Sequence, residues 1–350
     1  MFNTFCFTVL LALFSFNMMA DDELNFYGRL DLAITHSTNG DTTQNGKSGT
    51  LLENNFSNIG LRGHEGIAQL TKIIYQIEFQ VENTNSDGDK DPLKASNTYL
   101  GLESETLGTL LVGRNDTVFK QSEGNVDIFG NTNADIDRLV AGQTRGADAI
   151  WYYSPSLSNI FSINATYLVT DNNQADIDNP EEQYALNIIV GDKKLRQHQY
   201  YLGAALNKGI ANVDAYRGVV QMTLGQWTLG SLYQYTQSQQ SNEQNMKGHS
   251  YFLNVIYSIN GLNLKAEFGA DTSGLGKYFT RATRTNNDTD RSQFSDISVT
   301  QLTLGADYPL SQSTLLYGHM AKYQGHYKDA GTYIELEKDH VLTTGVRYNF

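Results

Sequence analysis

Seven histidines, His36, His64, His198, His249, His319, His326 and His340, are the side chains best suited to hold a metal or pass a proton. No two of them stand at the His-x-x-x-His spacing that puts both rings on one helix face for zinc. No Gly-x-Ser-x-Gly elbow presents a nucleophile. The run Asp87-Gly88-Asp89-Lys90-Asp91 has the look of a calcium loop, but Pro92 takes the place of the turn glycine and no Glu stands at the twelfth position. Gly274 and Gly276 precede Lys277 without the first glycine or the trailing Ser or Thr of a phosphate loop. No enzyme, cofactor or metal site is therefore expected. What remains is charge. Residues 116–144 carry Glu123, Asp127, Asp135 and Asp137, with Lys120 and Arg138 as their bases. Such carboxylates raise the local concentration of cations in a narrow passage. The formal charge of −13 excludes nucleic acid as a partner, because phosphate contacts need a basic surface.

The elements that must position those charges repeat with a period of two. Phe26, Leu30, Leu32 and Ile34 share one parity, and Arg29, Asp31 and Thr35 share the other. Ile73, Tyr75, Ile77, Phe79 and Val81 oppose Lys72, Gln76, Glu78, Gln80 and Glu82. The split recurs in Tyr251, Leu253, Val255 and Tyr257, and in Thr300, Leu302, Leu304, Ala306 and Tyr308 against Gln301, Thr303 and Asp307. One face of each segment meets an apolar phase and the other meets water or polar groups.

The connections decide what kind of alternating protein this is. Short turns fall at residues 63–66, 105–108, 155–159, 191–197, 224–226, 260–261 and 309–312. Between them lie longer polar segments at 36–50, 83–95, 116–144, 171–182, 236–247, 271–297 and 324–339; only the connection near 207–211 departs from the rule. Short and long alternate when all hairpins cross a membrane the same way. About sixteen strands fit between these connections, enough for a barrel that encloses an aqueous channel. The fold expected is an all-β, transmembrane antiparallel barrel, one domain over residues 21–350. Residues 1–20 contain a short apolar run ending in Met18-Met19-Ala20, too short to span a bilayer, and read as a cleaved secretory signal. Cys6, the only cysteine, lies inside it, so the mature chain has no thiol or disulfide.

Several segments carry a family resemblance. Tyr27-Gly28-Arg29-Leu30-Asp31 opens the first strand, and Ile59-Gly60-Leu61-Arg62-Gly63 closes the second. Gln76-Ile77-Glu78, Tyr99-Leu100-Gly101-Leu102 and Val112-Gly113-Arg114-Asn115 follow in the third, fourth and fifth. Arg145 with Ile150, Tyr152, Ser154 and Pro155 marks the sixth, and the chain ends in Gly345-Val346-Arg347-Tyr348-Asn349-Phe350. In this order the chain resembles the trimeric general-diffusion porins of Gram-negative bacteria. The resemblance implies an outer-membrane homotrimer that passes small polar solutes and ions, with lipopolysaccharide and outer-membrane lipid around it. It also implies that the third loop folds into the lumen and sets acids against a basic wall. On that basis Arg29, Lys94, Arg114 and Arg145 form the basic side, Glu78 is a wall acid and Asp127 a constriction acid. Asn58 stands where the family often has Arg, Ser96 where enteric members have Arg, and Ile128 where enteric members have the loop acid. Tyr348 and the terminal Phe350 are implied as the signal read by the barrel-assembly machinery. Modest cation selectivity is expected. A sugar-specific channel is the alternative, with Trp151 and Tyr153 as its aromatic patch; an outer-membrane hydrolase is the remote one.

Overall fold

A computed structural model describes residues 23–82, 84, 91–169, 182–284 and 290–350. The expected signal segment with Cys6, and residues 87–90 of the calcium-like run, lie outside the described residues.

Alternating side chains on extended backbone make a two-faced sheet, and this sheet closes on itself. Its eighteen strand segments form sixteen strands, because two strands are each interrupted once. The second strand consists of Gly49–Asn54 and Asn58–Ala68, both paired with the first strand, Glu23–Ser37. The sixteenth consists of Thr332–Glu335 and Asp339–Asn349, both paired with the fifteenth, Thr314–Asp329. Closure joins the sixteenth strand to the first, in register from Arg29 with Asn349 to Ser37 with Val341. All pairings are antiparallel, and closure leaves no free sheet edge among the described residues.

Polarity is inverted relative to a water-soluble core. Leu253, Leu302, Leu304, Ile34 and Leu342 are exposed on the outer surface, whereas Asp31, Glu78, Gln234, Glu267 and Gln301 are buried inside. The lumen is not uniformly polar, however. Leu232, Phe252, Val299 and Tyr323 project inward and form one cluster with Val126, Ile128, Phe129, Ile136 and Leu139. This cluster draws residues 117–144 into the barrel and against one half of its wall.

Two boundaries differ from the sequence reading. Gly63 to Gly66 is not a turn: the strand continues to Ala68, and the chain reverses at Gln69 and Leu70. The glycine at 63 is needed for close approach, since a side chain there would meet the Tyr75 hydroxyl. Residues 324–339 are mostly not a loop. His326 to Asp329 pairs with Thr332 to Glu335 as a hairpin that prolongs the barrel wall.

Candidate functional site: a charged constriction

The third loop leaves the fifth strand, Gly108–Asp116, and returns to the sixth, Arg145–Tyr153. Thr117 caps a one-turn helix, Val118–Gln121, by accepting the Lys120 N–H at 3.2 Å. Asp135 caps a 3-10 turn, Ile136–Arg138, by accepting the N–H of Asp137 at 2.8 Å, and it also accepts that of Asn131 at 2.7 Å. Inward-facing wall residues satisfy the loop's carbonyls. Asn187 donates to Val118 O at 2.6 Å, Asn254 to Val126 O at 2.6 Å, Lys265 to Ile128 O at 3.0 Å and the Tyr323 hydroxyl to Asn133 O at 2.8 Å. The buried Arg217 guanidinium donates to Phe119 O at 3.2 Å and stacks over the Phe119 ring. A loop inside a barrel would otherwise strand its backbone polar groups, at roughly 1–3 kcal/mol each.

With one side of the loop packed on the wall, its other side borders a cleft of about 900 Å³. Arg29, Glu78, Asp127 and Arg145 all line it. Arg29 donates through Nε to Asn349 Oδ1 at 3.1 Å, and together with Asp127 it also lines a second cavity, of about 270 Å³, beneath the loop. Glu78 accepts from the Tyr27 hydroxyl at 3.0 Å and from Ser96 Oγ. Arg145 donates to Ser96 Oγ at 2.9 Å and to Asp116 Oδ1 at 3.0 Å, so Ser96 links the wall acid to the wall base. Lys94 and Arg114 do not line the cleft. Lys94 pairs with Glu82 at 3.0 Å above it, and Arg114 sits in a bulge between Gly113 and Asn115 with its Nε buried and unpartnered among the described residues.

The loop acids are not equivalent. Arg138 at 2.8 Å and the Lys277 ammonium neutralise Asp137. Burial opposes its ionisation, yet these two cations hold its carboxyl below the ordinary range. Glu123 accepts from Gln143 and lies 3.9 Å from Arg217. Asp127 has no ion-pair partner among the described residues, and its buried Oδ1 accepts no hydrogen bond. Burial, followed by the neighbouring Asp135 and Glu123, pushes its carboxyl well above the usual range.

The chain matches the family model for Gram-negative porin over residues 8–327. It belongs to that family. The porin is 26% identical over 203 residues to the major outer membrane protein P.IB of Neisseria sicca, covering 56% of this chain and 52% of the relative. An outer membrane porin protein of Bordetella pertussis is 25% identical over 189 residues, covering 52% and 49%. The porin thus spans about half the length of the curated relatives it matches. Among solved structures, an anion-selective porin from Comamonas acidovorans superposes with a TM-score of 0.70 at 17% identity, over 94% of this chain and 100% of that one. Outer-membrane expressed OmpT of Vibrio cholerae gives 0.63 at 14% identity, over 95% and 99%. Identities this low speak for the fold alone. The protein is a non-enzymatic barrel of the outer membrane.

Several site residues of the porin escaped the sequence reading. Arg62 lines the cleft, and Arg347 binds Asp31 at 2.5 Å; both lie on the inward parity, which could have disclosed them. Lys277 had no such signal. Residues 271–297, expected as a long polar connection, include a short helix, Lys277–Ala282, whose Tyr278 and Phe279 are buried. Gly276 lies directly on the Leu139 backbone, where no side chain fits. The aromatic patch imagined for sugars is absent as well: Trp151 is fully buried and donates to Asp116 O at 3.0 Å, and Tyr153 is held by Gln121.

Lys277→Gln is expected to leave stability within about 1 kcal/mol, as for other half-exposed ion pairs. It also removes one of the two cations that neutralise Asp137, leaving only Arg138 on that carboxylate. The reversal potential in a KCl gradient should therefore move toward cations while the melting temperature stays put; a melting shift with unchanged selectivity would show that the pair only braces the loop.

Proposed function

We propose that this porin, cleaved after Ala20 and assembled as a homotrimer, forms a water-filled channel for passive diffusion of small hydrophilic solutes and ions, with a modest preference for cations. The observation that carries it is the open cleft beside the third loop, lined by Arg29, Arg62 and Arg145 on one side and by the uncompensated Asp127 on the other. A transverse field of this kind orients polar solutes and discriminates weakly between ions. Arginines at 29, 62 and 145 offset much of the acid at the constriction, so the preference expected is small and rests on Asp127 and on the overall charge of −13. The same barrel occurs in a protein described as anion-selective, so side chains and not the fold set the sign.

Planar-bilayer recording of the refolded barrel tests both parts. Stepwise conductance that grows linearly with salt supports the water-filled channel. Asp127→Asn combined with Glu78→Gln should move the reversal potential toward anions, most at low salt, because the Debye length shortens from about 10 Å at 0.1 M to about 3 Å at 1 M. Protonation removes the negative charge of Asp127, and its carboxyl titrates above the usual range, so acidification should weaken cation preference before ordinary carboxylates are neutralised. An anion-selective parent, or a double variant with the parental potential, would remove Asp127 and Glu78 from the selectivity mechanism.

A further inference from the structure

We propose that the periplasmic turn at residues 192–199 is a cationic collar at the inner mouth, and that it makes ion current through the channel rectify. The proposal rests on the channel reading above. The turn joins the eighth strand, Tyr184–Gly191, to the ninth, Tyr200–Lys208. These strands have only 8 and 9 residues, at or below the roughly 9–11 that a tilted strand needs to cross the hydrocarbon layer. The barrel wall is therefore low here, and the turn starts close beneath the third loop.

It is held there. Asn125, which lines the main cleft, donates through Nδ2 to the Lys193 carbonyl at 2.7 Å. Leu195 is tucked against the apolar cluster that contains Val126 and Ile128. Asp192 orders the turn from within, accepting the N–H groups of Arg196 at 2.8 Å, Lys194 at 2.9 Å and Gln197 at 3.1 Å. Those bonds also hold its carboxyl below the ordinary range.

Lys193, Lys194 and Arg196 are exposed, and Asp192 is the only acid among them. The other turns at this end, residues 69–70, 105–107, 154–160, 225–226, 260–261 and 310–313, contain no Lys or Arg. A local positive charge thus stands at the inner mouth of a chain whose net charge is −13. A passage that attracts anions at one end and cations elsewhere fills with both carriers under one voltage polarity and is depleted of both under the other. Its current is then asymmetric, and salt screens the asymmetry.

Single-channel currents at equal and opposite voltages test this on the refolded protein and on a K193Q/K194Q/R196Q variant. At 0.1 M KCl the parent is expected to rectify by about 1.5-fold, fading toward unity at 1 M as the Debye length falls. The triple variant should be ohmic and more cation-selective, with open-channel conductance retained, while K193R/K194R keeps the parental asymmetry. An ohmic parent, or a triple variant that rectifies as before, overturns the collar and leaves the channel intact; absence of stepwise conductance overturns both. If the triple variant instead keeps parental currents and loses cosedimentation with peptidoglycan sacculi, the turn is a docking surface and the proposal falls.

Discussion

A chain lacking Phe350 is expected to be exported and then fail to accumulate as folded barrel in the outer membrane. Residue 350 makes the last bond pair of the closure, with Gly28 N–H donating to Phe350 O at 2.9 Å and Phe350 N–H to Gly28 O at 3.0 Å. Its ring lies on Gly28, where a side chain on residue 28 would collide with it, and its centroid is 6.1 Å from that of Phe26 and 6.0 Å from that of Tyr348. Two hydrogen bonds are worth about 2 kcal/mol net, a minor loss for a barrel whose closure pairs Arg29 through Ser37 with the last strand. If the residue acts only through those contacts, the truncated chain should assemble nearly normally in cells. If Tyr348 and Phe350 are read by the assembly machinery, the defect in cells should far exceed the defect in detergent refolding. Heat-modifiable barrel, measured in outer-membrane fractions and in refolding reactions side by side, separates the two. Equal and small losses in both would remove the assembly role.

Leu253→Arg is expected to cost about 2–4 kcal/mol, the penalty for a cation at the bilayer midplane. Leu253 is exposed on the twelfth strand, Lys247–Ile259, between two aromatic bands. Tyr251 packs near Tyr233 toward the external end, and Tyr257 packs tilted against Trp227, 4.4 Å between centroids, toward the periplasmic end. Arg at Tyr257 should accordingly cost only about 0–1 kcal/mol, since the side chain can reach the headgroups. Asn254 points inward but is no neutral control, because its side chain holds Val126 of the third loop. Gln80, which lines the cleft, is the better one: Gln80→Arg should leave stability nearly unchanged and shift selectivity toward anions. Urea or guanidinium unfolding in lipid bilayers reads the difference. Comparable losses for Leu253→Arg and Gln80→Arg would mean that the assignment of faces is inverted.

Which face each strand residue occupies was legible in the sequence. Side chains alternate across a strand as a matter of backbone geometry, so the parity of Leu302 against Gln301, or Ile77 against Glu78, follows from local order alone. The strand number followed as well, because it requires only counting alternating runs between turns. The same parity placed Arg29 and Glu78 toward water. The boundaries at 63–66 and 324–339 failed for a local reason: glycine and polar residues mark turns, but they also occur in strands where another side chain must come close or where a hairpin projects into water.

What only the tertiary structure decided is where the connections lie. Leu232, Phe252, Val299 and Tyr323 break the alternation by being apolar on the inward parity, and taken one at a time each could pass for an ordinary strand residue. Only when the barrel closes do they become a single surface, and only then can residues 117–144 lower their free energy by packing against it. That packing leaves Asp127 without an ion-pair partner among the described residues, on the cleft that Arg29 also lines, while Lys277, more than a hundred residues away in sequence, neutralises Asp137. Lys94 lies on the fourth strand, Leu93–Ser104, and Arg114 on the fifth, yet a partner at Glu82 and a bulge at Gly113 keep them from the cleft. Strand periodicity is imposed by neighbours in the chain and can be read from them. The position of a loop charge depends on contacts between distant segments that exist only after closure.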